Sequence, residues 1–553
     1  MRPAPLLFVI LCFAVLFAGP GRVGFTDVRE ARDAGVAREM IQRREPLTPV
    51  WVGDAWFEKP VLAYAPEILA ASWSHGSAER SREVRAAMAL ALLLLTASIG
   101  ARHFGARAGW CAAGVLVSMV ALPLAARTDG TQVLGTLLGW AGAAGLADAL
   151  FGRREGRDLR LVVAYGALGA ALVTAGPLPA LWPLGGLWLF ATLARRPEAL
   201  RDARIGAGAC VMLGLAIPWY GAMIQRYGAP FVAHAPFFPY ATEPRGAWYS
   251  GPLLALSFLV VGAYPWSALV PEAMLHAATW WRFSRRRDAG PRPAARARDA
   301  APGDALGREA REESAAHFFI AMLVAALIPV ALYPGPPLPA ALPALPAAAL
   351  LCGRLLDHAF EDAERLARSL RVAARMLAVT GTVLAIALAV VAPRIREAAP
   401  ELRLLAAVVF GTSWLPALAD VAGRRRAAAA LFTLPVALGA PIVTARVLPE
   451  MEDYVNARSV ALALNHTAPR QAPVAVLGAA APSFRLYAKH NVVPVTDAGV
   501  ALRTLTAADG HAYVAFTPAR EGDIARSAGT PLEIVMRTPS LVLARVSPVN
   551  VAR

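Results

Sequence analysis

The chain has 553 residues, of which 57% are hydrophobic and only 17% charged, and its mean hydropathy is +0.47. A soluble protein carries nearer a quarter charged residues, so this composition excludes a soluble globular enzyme. The net charge of +16 is no nucleic-acid footprint either, because most Arg clusters sit in short connections between apolar runs, as a membrane topology requires.

Apolar runs of membrane-spanning length recur from the first residues to about Val447. About thirteen spans are expected, near residues 5–22, 84–101, 108–126, 130–151, 160–175, 178–194, 205–222, 251–272, 317–334, 338–356, 375–392, 404–421 and 427–446. Arg2 before the apolar run Pro5 to Ala18 resembles a signal peptide. Because further spans follow, an uncleaved first transmembrane helix is expected. Cys12, Cys111, Cys210 and Cys352 all lie in apolar segments without metal-site spacing and read as small packing residues, not as a disulfide framework.

A cytoplasmic N-terminus puts the Arg-rich connections on one side. These are Arg102/Arg107, Arg153/Arg154/Arg157/Arg160, Arg195/Arg196/Arg201/Arg204, Arg282 to Arg311, Arg365 to Arg375 and Arg424 to Arg426. The Arg282–Arg311 segment, rich in Arg, Ala, Pro and Gly, reads as a flexible connector. Three features then face outward: the loop Gly24–Glu83, the loop Arg226–Ser250 and the tail after Leu448. The tail alternates β-rich runs (473–478, 492–495, 512–517, 532–538, 541–546) with helical ones, which predicts a small α/β domain. It has no Gly-rich phosphate loop after a strand. The expected architecture is a polytopic α-helical membrane domain, 1–447, followed by an extracytoplasmic α/β domain, 448–553.

The first outer loop opens TDVREARDAGVAREMIQRRE, Thr26 to Glu45. Thr26 or Asp27 can cap a helix there, Glu30 is a first-turn acid favoured by the helix dipole, and Pro46 helps to end the helix. Val36, Met40 and Ile41 form an apolar stripe, and Arg29, Arg32, Arg38, Arg43 and Arg44 supply cations. Such a helix is expected in the membrane interface with its Arg residues on lipid phosphates. The loop continues LTPVWVGDAWFEKP, Leu47 to Pro60. Lys59 is one of two lysines in the chain, Lys489 being the other. An ammonium is a compact point charge suited to a single phosphate or carboxylate oxygen, where Arg offers a planar fork.

These residues resemble a known family. An acid, then Arg, AREM, L-T-P and G-x-x-x-F-E-K-P in one loop are similar to the glycosyltransferase 39-type enzymes of the GT-C fold, which include the aminoarabinose transferases that modify lipid A. ARTDGTQVLGTLLGWAGAAGLA (126–147), IPWYGAMIQRYGAPFV (217–232), GAYPWS (262–267), LPALPAAALLCG (342–353) and APVAVLGAAAPSFRLYAKH (472–490) are similar to later family segments, so the resemblance spans nearly the whole chain.

The resemblance implies a bacterial inner-membrane transferase that takes a sugar from a polyprenyl-phosphate carrier at the extracytoplasmic face. The acceptor would be a lipid, glycan or protein, and no nucleic acid is implied. A catalytically inactive membrane scaffold and a lipid-linked sugar transporter are the alternatives. In the transferase reading Lys59 and Arg32 bind the donor phosphate, with Arg127 beside them. Glu30, Asp27 and Asp129 are candidates for the carboxylate that deprotonates the acceptor. Glu30 stands at the second acid of the family's Asp-Glu pair and Arg29 at the first. Asp129, at the outer end of a span, is where an unpartnered carboxylate would be costly. Glu58 and His234 are candidate ligands for a divalent metal. The sequence departs from the family pattern at Ala175-Gly176-Pro177, where Lys-Gly-Pro is common, and at YPGPPLPAALPALP (333–346), where relatives carry Lys and Tyr. Two contacts to donor phosphate are thereby missing.

Overall fold

The computed structural model describes residues 3–19, 21, 23–26, 28–74, 78–152, 155–234, 250–286, 305–332, 342–361, 363–478, 481–495, 497, 512–528 and 532–546. Outside these lie Asp27, most of the Arg226–Ser250 loop, most of the Arg-rich connector, residues 333–341 and the expected helical run 500–508.

Each expected span overlaps a helix among the described residues, but 251–272 is divided, because one helix ends at Gly262 and the next starts at Leu269 with the GAYPWS turn between them. Eight helices among the described residues are long and apolar enough to cross a membrane: Arg80–Phe104, Gly130–Phe151, Arg157–Ala175, Ile205–Tyr227, Glu309–Ala331, Arg368–Arg394, Ala399–Val421 and Arg425–Glu450. A ninth is broken into two helices that meet at 60°. The other four expected spans are Pro3–Leu16, Pro177–Leu193, Ser250–Gly262 and Ala344–Glu361, which are shorter or, in the last case, carry Arg354, Asp357 and Glu361.

In chain order the elements that build the site are α1 (Pro3–Leu16), α2 (Val28–Arg43), strands β1 (Val50–Trp51) and β2 (Asp54–Ala55), and α3 (Ala65–Ser74). They are followed by α4 (Ala78–Phe104), α5 (Ala106–Val117), α6 (Ala121–Thr128) and α7 (Gly130–Phe151). The break between α5 and α6 is filled by the GAYPWS segment. Trp266 Nε1 donates to Ser118 Oγ at 2.8 Å, and Val120 N–H donates to Tyr264 O at 3.0 Å. Backbone groups freed at a bend inside a bundle need such partners. Trp140, Trp182, Phe190, Phe318 and Phe319 form a buried aromatic core within the bundle.

Strands β3 (Val474–Leu477), β4 (Val492–Val495), β5 (Ala512–Phe516), β6 (Glu533–Arg537) and β7 (Val542–Val546) form one sheet in the order β4-β3-β5-β7-β6. β3 runs parallel to β4 and β5, while β7 is antiparallel to both β5 and β6. The VAVL and AYVAF runs are buried throughout because both faces are covered. Val460, Leu464 and Phe484 pack on one face and Ile524 on the other. The expected α/β tail is therefore present.

This domain docks onto α2, and that corrects the expectation of an interfacial helix. Arg38 donates to Leu486 O at 2.9 Å, Arg485 pairs with Glu39 at 3.3 Å, and Phe25 N–H donates to the Tyr487 hydroxyl at 2.8 Å. Arg32 and Arg43 bond to Glu58 and Gly53 O. Of the apolar stripe, Val36 and Met40 are buried and only Ile41 is exposed. The helix has protein on several sides, so these cations meet carboxylates and carbonyls. The first loop and the C-terminal domain consequently share one end of the bundle.

Candidate active site

The FEKP segment reaches the site through a tight hairpin. Val52 and Gly53 both have positive φ (57° and 90°) between paired strands β1 and β2, the backbone of a two-residue turn whose twist suits the hairpin. A β-branched residue is strained there. Glu39, the acid of AREM, accepts from both Val52 N–H and Gly53 N–H at 3.0 Å and offsets that strain. Trp51 packs on α2 at Gly35, where a Cβ would come within 2.1 Å of the Trp51 ring. The LTP residues are tied to the PWY and RYG segments. Trp219 Nε1 donates to Leu47 O at 2.9 Å, and Arg226 bonds to Glu45 at 2.9 Å and to Thr48 Oγ1 at 3.2 Å. Phe57 packs edge-on against Tyr227 and Phe231.

Two ionic clusters then form on α2, one turn apart. In the inner one the Glu30 side chain is 0% exposed. It accepts from Arg85 Nη1 at 2.9 Å, lies 3.4 Å from Arg82 Nε, and reaches back to Thr26 N–H at 2.9 Å. Arg85 also donates to Glu67 through Nε (2.9 Å) and Nη2 (2.7 Å) and to the carbonyl of Arg127 (2.8 Å). Arg82 donates to Val23 O and Gly24 O at 2.6 Å each. A buried guanidinium is tolerable when its fork is filled like this.

In the outer cluster Lys59 Nζ donates to Asp33 Oδ2 at 2.7 Å and to Thr131 Oγ1 at 3.3 Å. The Lys59 and Asp33 side chains are 17% and 12% exposed. Asp129, N-cap of α7, accepts from Gln132 N–H at 3.0 Å and faces the same ammonium. Burial pushes the Lys59 pKa down, but Asp33 and Asp129 outweigh it and hold it above the ordinary lysine value. Burial pushes Asp129 upward, against Lys59 and the Gln132 N–H. Arg32 pairs with Glu58 at 2.7 Å and lies over the Trp56 ring at 5.3 Å. The Tyr64 hydroxyl and Arg32 Nε are buried with no hydrogen-bond partner among the described residues, and Tyr64 sits within the field of Asp33 and Glu58.

The residues expected from the sequence thus separate. Lys59, Asp129, Arg32 and Glu58 come together. Glu30 belongs to the closed inner cluster. Arg127 joins the same framework, with Nη2 donating to Ala18 O at 2.7 Å. Asp27 lies outside the described residues, as does the side chain of His234, which ends the short helix Ala229–His234. Among the described residues no three His, Cys, Asp or Glu side chains are grouped to hold a metal ion, and Glu58 Oε1 is engaged by Arg32. Sequence reasoning missed Asp33, Thr131 and Tyr64. The signal for Asp33 was periodicity: it shares a helical stripe with Glu30, Ala37 and Met40, where an acid needs a partner.

The fold is a GT-C fold, and in this chain the first loop and the C-terminal domain meet at one end of the helical bundle. Among solved structures it is similar to ArnT from Cupriavidus metallidurans bound to undecaprenyl phosphate, at 17% identity and a TM-score of 0.77, covering 99% of both chains. The apo state of that protein matches at 18% identity and a TM-score of 0.76, covering 98% of both chains. The apo oligosaccharyltransferase of Archaeoglobus fulgidus matches at 12% identity and a TM-score of 0.50, covering 96% of this chain and 71% of that one. No protein-family model matches the sequence, and no curated protein does.

Proposed function

We propose that this chain is a membrane glycosyltransferase that moves a sugar from a polyprenyl-phosphate carrier to a lipid, glycan or protein acceptor at the extracytoplasmic face of a bacterial inner membrane. The observation that carries the reading is the largely buried Lys59, held between α2 and the start of α7 by Asp33 and Thr131. A membrane protein keeps such a charge near its helix ends where it has a ligand to meet. The overall likeness to an undecaprenyl phosphate-bound structure supports the same reading.

In this reading Lys59 and Arg32 hold the carrier phosphate and stabilise the charge that develops on it. Asp33 takes the acceptor proton, because Glu30 is fixed by Arg82, Arg85 and Thr26 and has no exposed surface. Asp129 caps α7 and orients Lys59. Outward placement of the first loop and C-terminal domain follows from the Arg asymmetry of the connections.

The test is mass spectrometry of envelope lipids and glycans from cells with the parent chain, without it, and with Lys59→Ala at matched expression. A glycan or lipid adduct present only with the parent chain is expected. Lys59→Arg should recover little of it, because the fork replaces a point charge. An adduct profile that ignores both deletion and Lys59→Ala would sink the proposal.

A further inference from the structure

The outer cluster contains a competition that a simple phosphate site would not need. Lys59 already has a carboxylate at 2.7 Å, and that carboxylate is largely buried. An anion approaching Lys59 therefore meets an ammonium whose charge is already matched. Two groups without a hydrogen-bond partner among the described residues, Arg32 Nε and the Tyr64 hydroxyl, are buried in the same cluster. Two buried atoms without partners next to a short ion pair describe a site arranged for a group that is not part of the chain.

We infer that Asp33 is a resident counter-ion of Lys59 which the carrier phosphate displaces, so that lipid binding and release of the Asp33 carboxylate are one event. The inference rests on the glycosyltransferase reading and deepens it. In the lipid-free state Lys59 neutralises Asp33. When the phosphate arrives, Lys59 Nζ turns from Asp33 to a phosphate oxygen, and Thr131 Oγ1 keeps the ammonium within reach of both. Arg32 Nε and Tyr64 supply further donors to the same anion.

The transfer step then balances. The bond between the sugar anomeric carbon and the bridging phosphate oxygen breaks, and its electron pair leaves with the polyprenyl phosphate. The acceptor oxygen forms the new bond to that carbon, and its proton passes to Asp33. Negative charge grows on the leaving phosphate as the acceptor loses its proton, so Lys59 is drawn further from Asp33 when Asp33 must be basic. A carboxylate still paired to an ammonium would be the weaker base.

The experiment measures binding of undecaprenyl phosphate, with undecaprenol as the uncharged control, to the full-length protein in lipid nanodiscs. The parent chain, Lys59→Ala and Asp33→Asn are compared. Removing a competitor that occupies Lys59 raises apparent affinity, so Asp33→Asn should bind undecaprenyl phosphate roughly tenfold more tightly than the parent. Undecaprenol binding should not change, and Lys59→Ala should lose the preference for the phosphate. A residue that merely props up the fold would weaken binding when replaced. Should the amide variant misfold, Asp33→Ser repeats the measurement, and the melting temperature gained on adding undecaprenyl phosphate gives the same ordering. Unchanged or weaker binding in the Asp33 variants, with Lys59→Ala still defective, overturns the counter-ion role and leaves the glycosyltransferase reading standing. A parent chain that binds the phosphate no better than undecaprenol overturns both.

Discussion

Glu30 and Asp33 stand three residues apart on one face of α2, and their surroundings differ in kind. Glu30 meets two Arg residues and a backbone N–H, and its side chain has no contact with solvent. Asp33 meets one Lys at a cluster that retains some exposure and contains unpartnered donors. Arg fills its fork with several acceptors at once, so Glu30 is held from several directions, although Glu67 Oε2 in the same cluster is buried without a hydrogen-bond partner among the described residues. Lys presents one mobile ammonium, so the outer cluster can exchange partners. The comparison shows how one helix carries a fully enclosed acid and a partly accessible one within a turn: the partner cations, more than the acids themselves, set the two surroundings.

The largest expected effect separates the two carboxylates directly. Asp33→Asn should lower sugar transfer by roughly 10²–10⁴-fold, the usual contribution of a general base, and melt nearer to the parent. Glu30→Gln should do the reverse. It leaves Arg82 and Arg85 short of a buried partner and costs about 3–5 kcal/mol of stability, with the correctly folded fraction retaining most of its turnover. Thermal unfolding and adduct formation per folded molecule, measured on both variants, check the contrast. Equal losses in both measurements for both variants would erase the distinction.

A smaller effect tests how the outer cluster is positioned. Gly35→Ala drives a methyl into the Trp51 ring, 2.1 Å from its nearest atom, and must push the hairpin away from α2. Overpacking of this kind costs about 1–3 kcal/mol. The hairpin leads directly to FEKP, so undecaprenyl phosphate binding should weaken while the Glu30 cluster, whose partners Arg82, Arg85 and Glu67 lie on α4 and α3, stays intact. Intrinsic Trp fluorescence and the binding measurement report on the two parts separately.

The smallest effect concerns the exposed tie between Glu45 and Arg226. The Arg226 hydrogen bond holds the Glu45 pKa below its ordinary value of 4.5. For a depressed carboxylate the stabilisation is fully present above the unfolded value and disappears as pH falls through the folded one. Melting temperature should therefore not respond to this pair between pH 7 and 5. Parent and Glu45→Gln should converge only in acid below the ordinary carboxylate range. A difference that vanishes nearer neutrality would place the sensitive group elsewhere, Asp129 being the first to test because burial raises its pKa.

Some of this was legible in the chain itself. Apolar runs in lipid must be helical, since every backbone group needs an internal partner, so length and hydropathy alone placed the apolar helices, though not the break after Gly262. The rarity of lysine marked Lys59. The β-rich tail announced its sheet because buried parallel strands are continuous apolar runs. Other facts required the tertiary structure. The AREM acid holds a turn thirteen residues away, Trp219 and Arg226 fasten LTP, and Arg485 to Tyr487 clamp α2 from the far end of the chain. Sequence spacing carries no information about contacts across hundreds of residues. It singled out Glu30 and passed over Asp33, although both are acids on one helix. Only the fold brings Arg82 and Arg85 to the first and Lys59 to the second, and a carboxylate's chemistry is set by the charge and solvent around it.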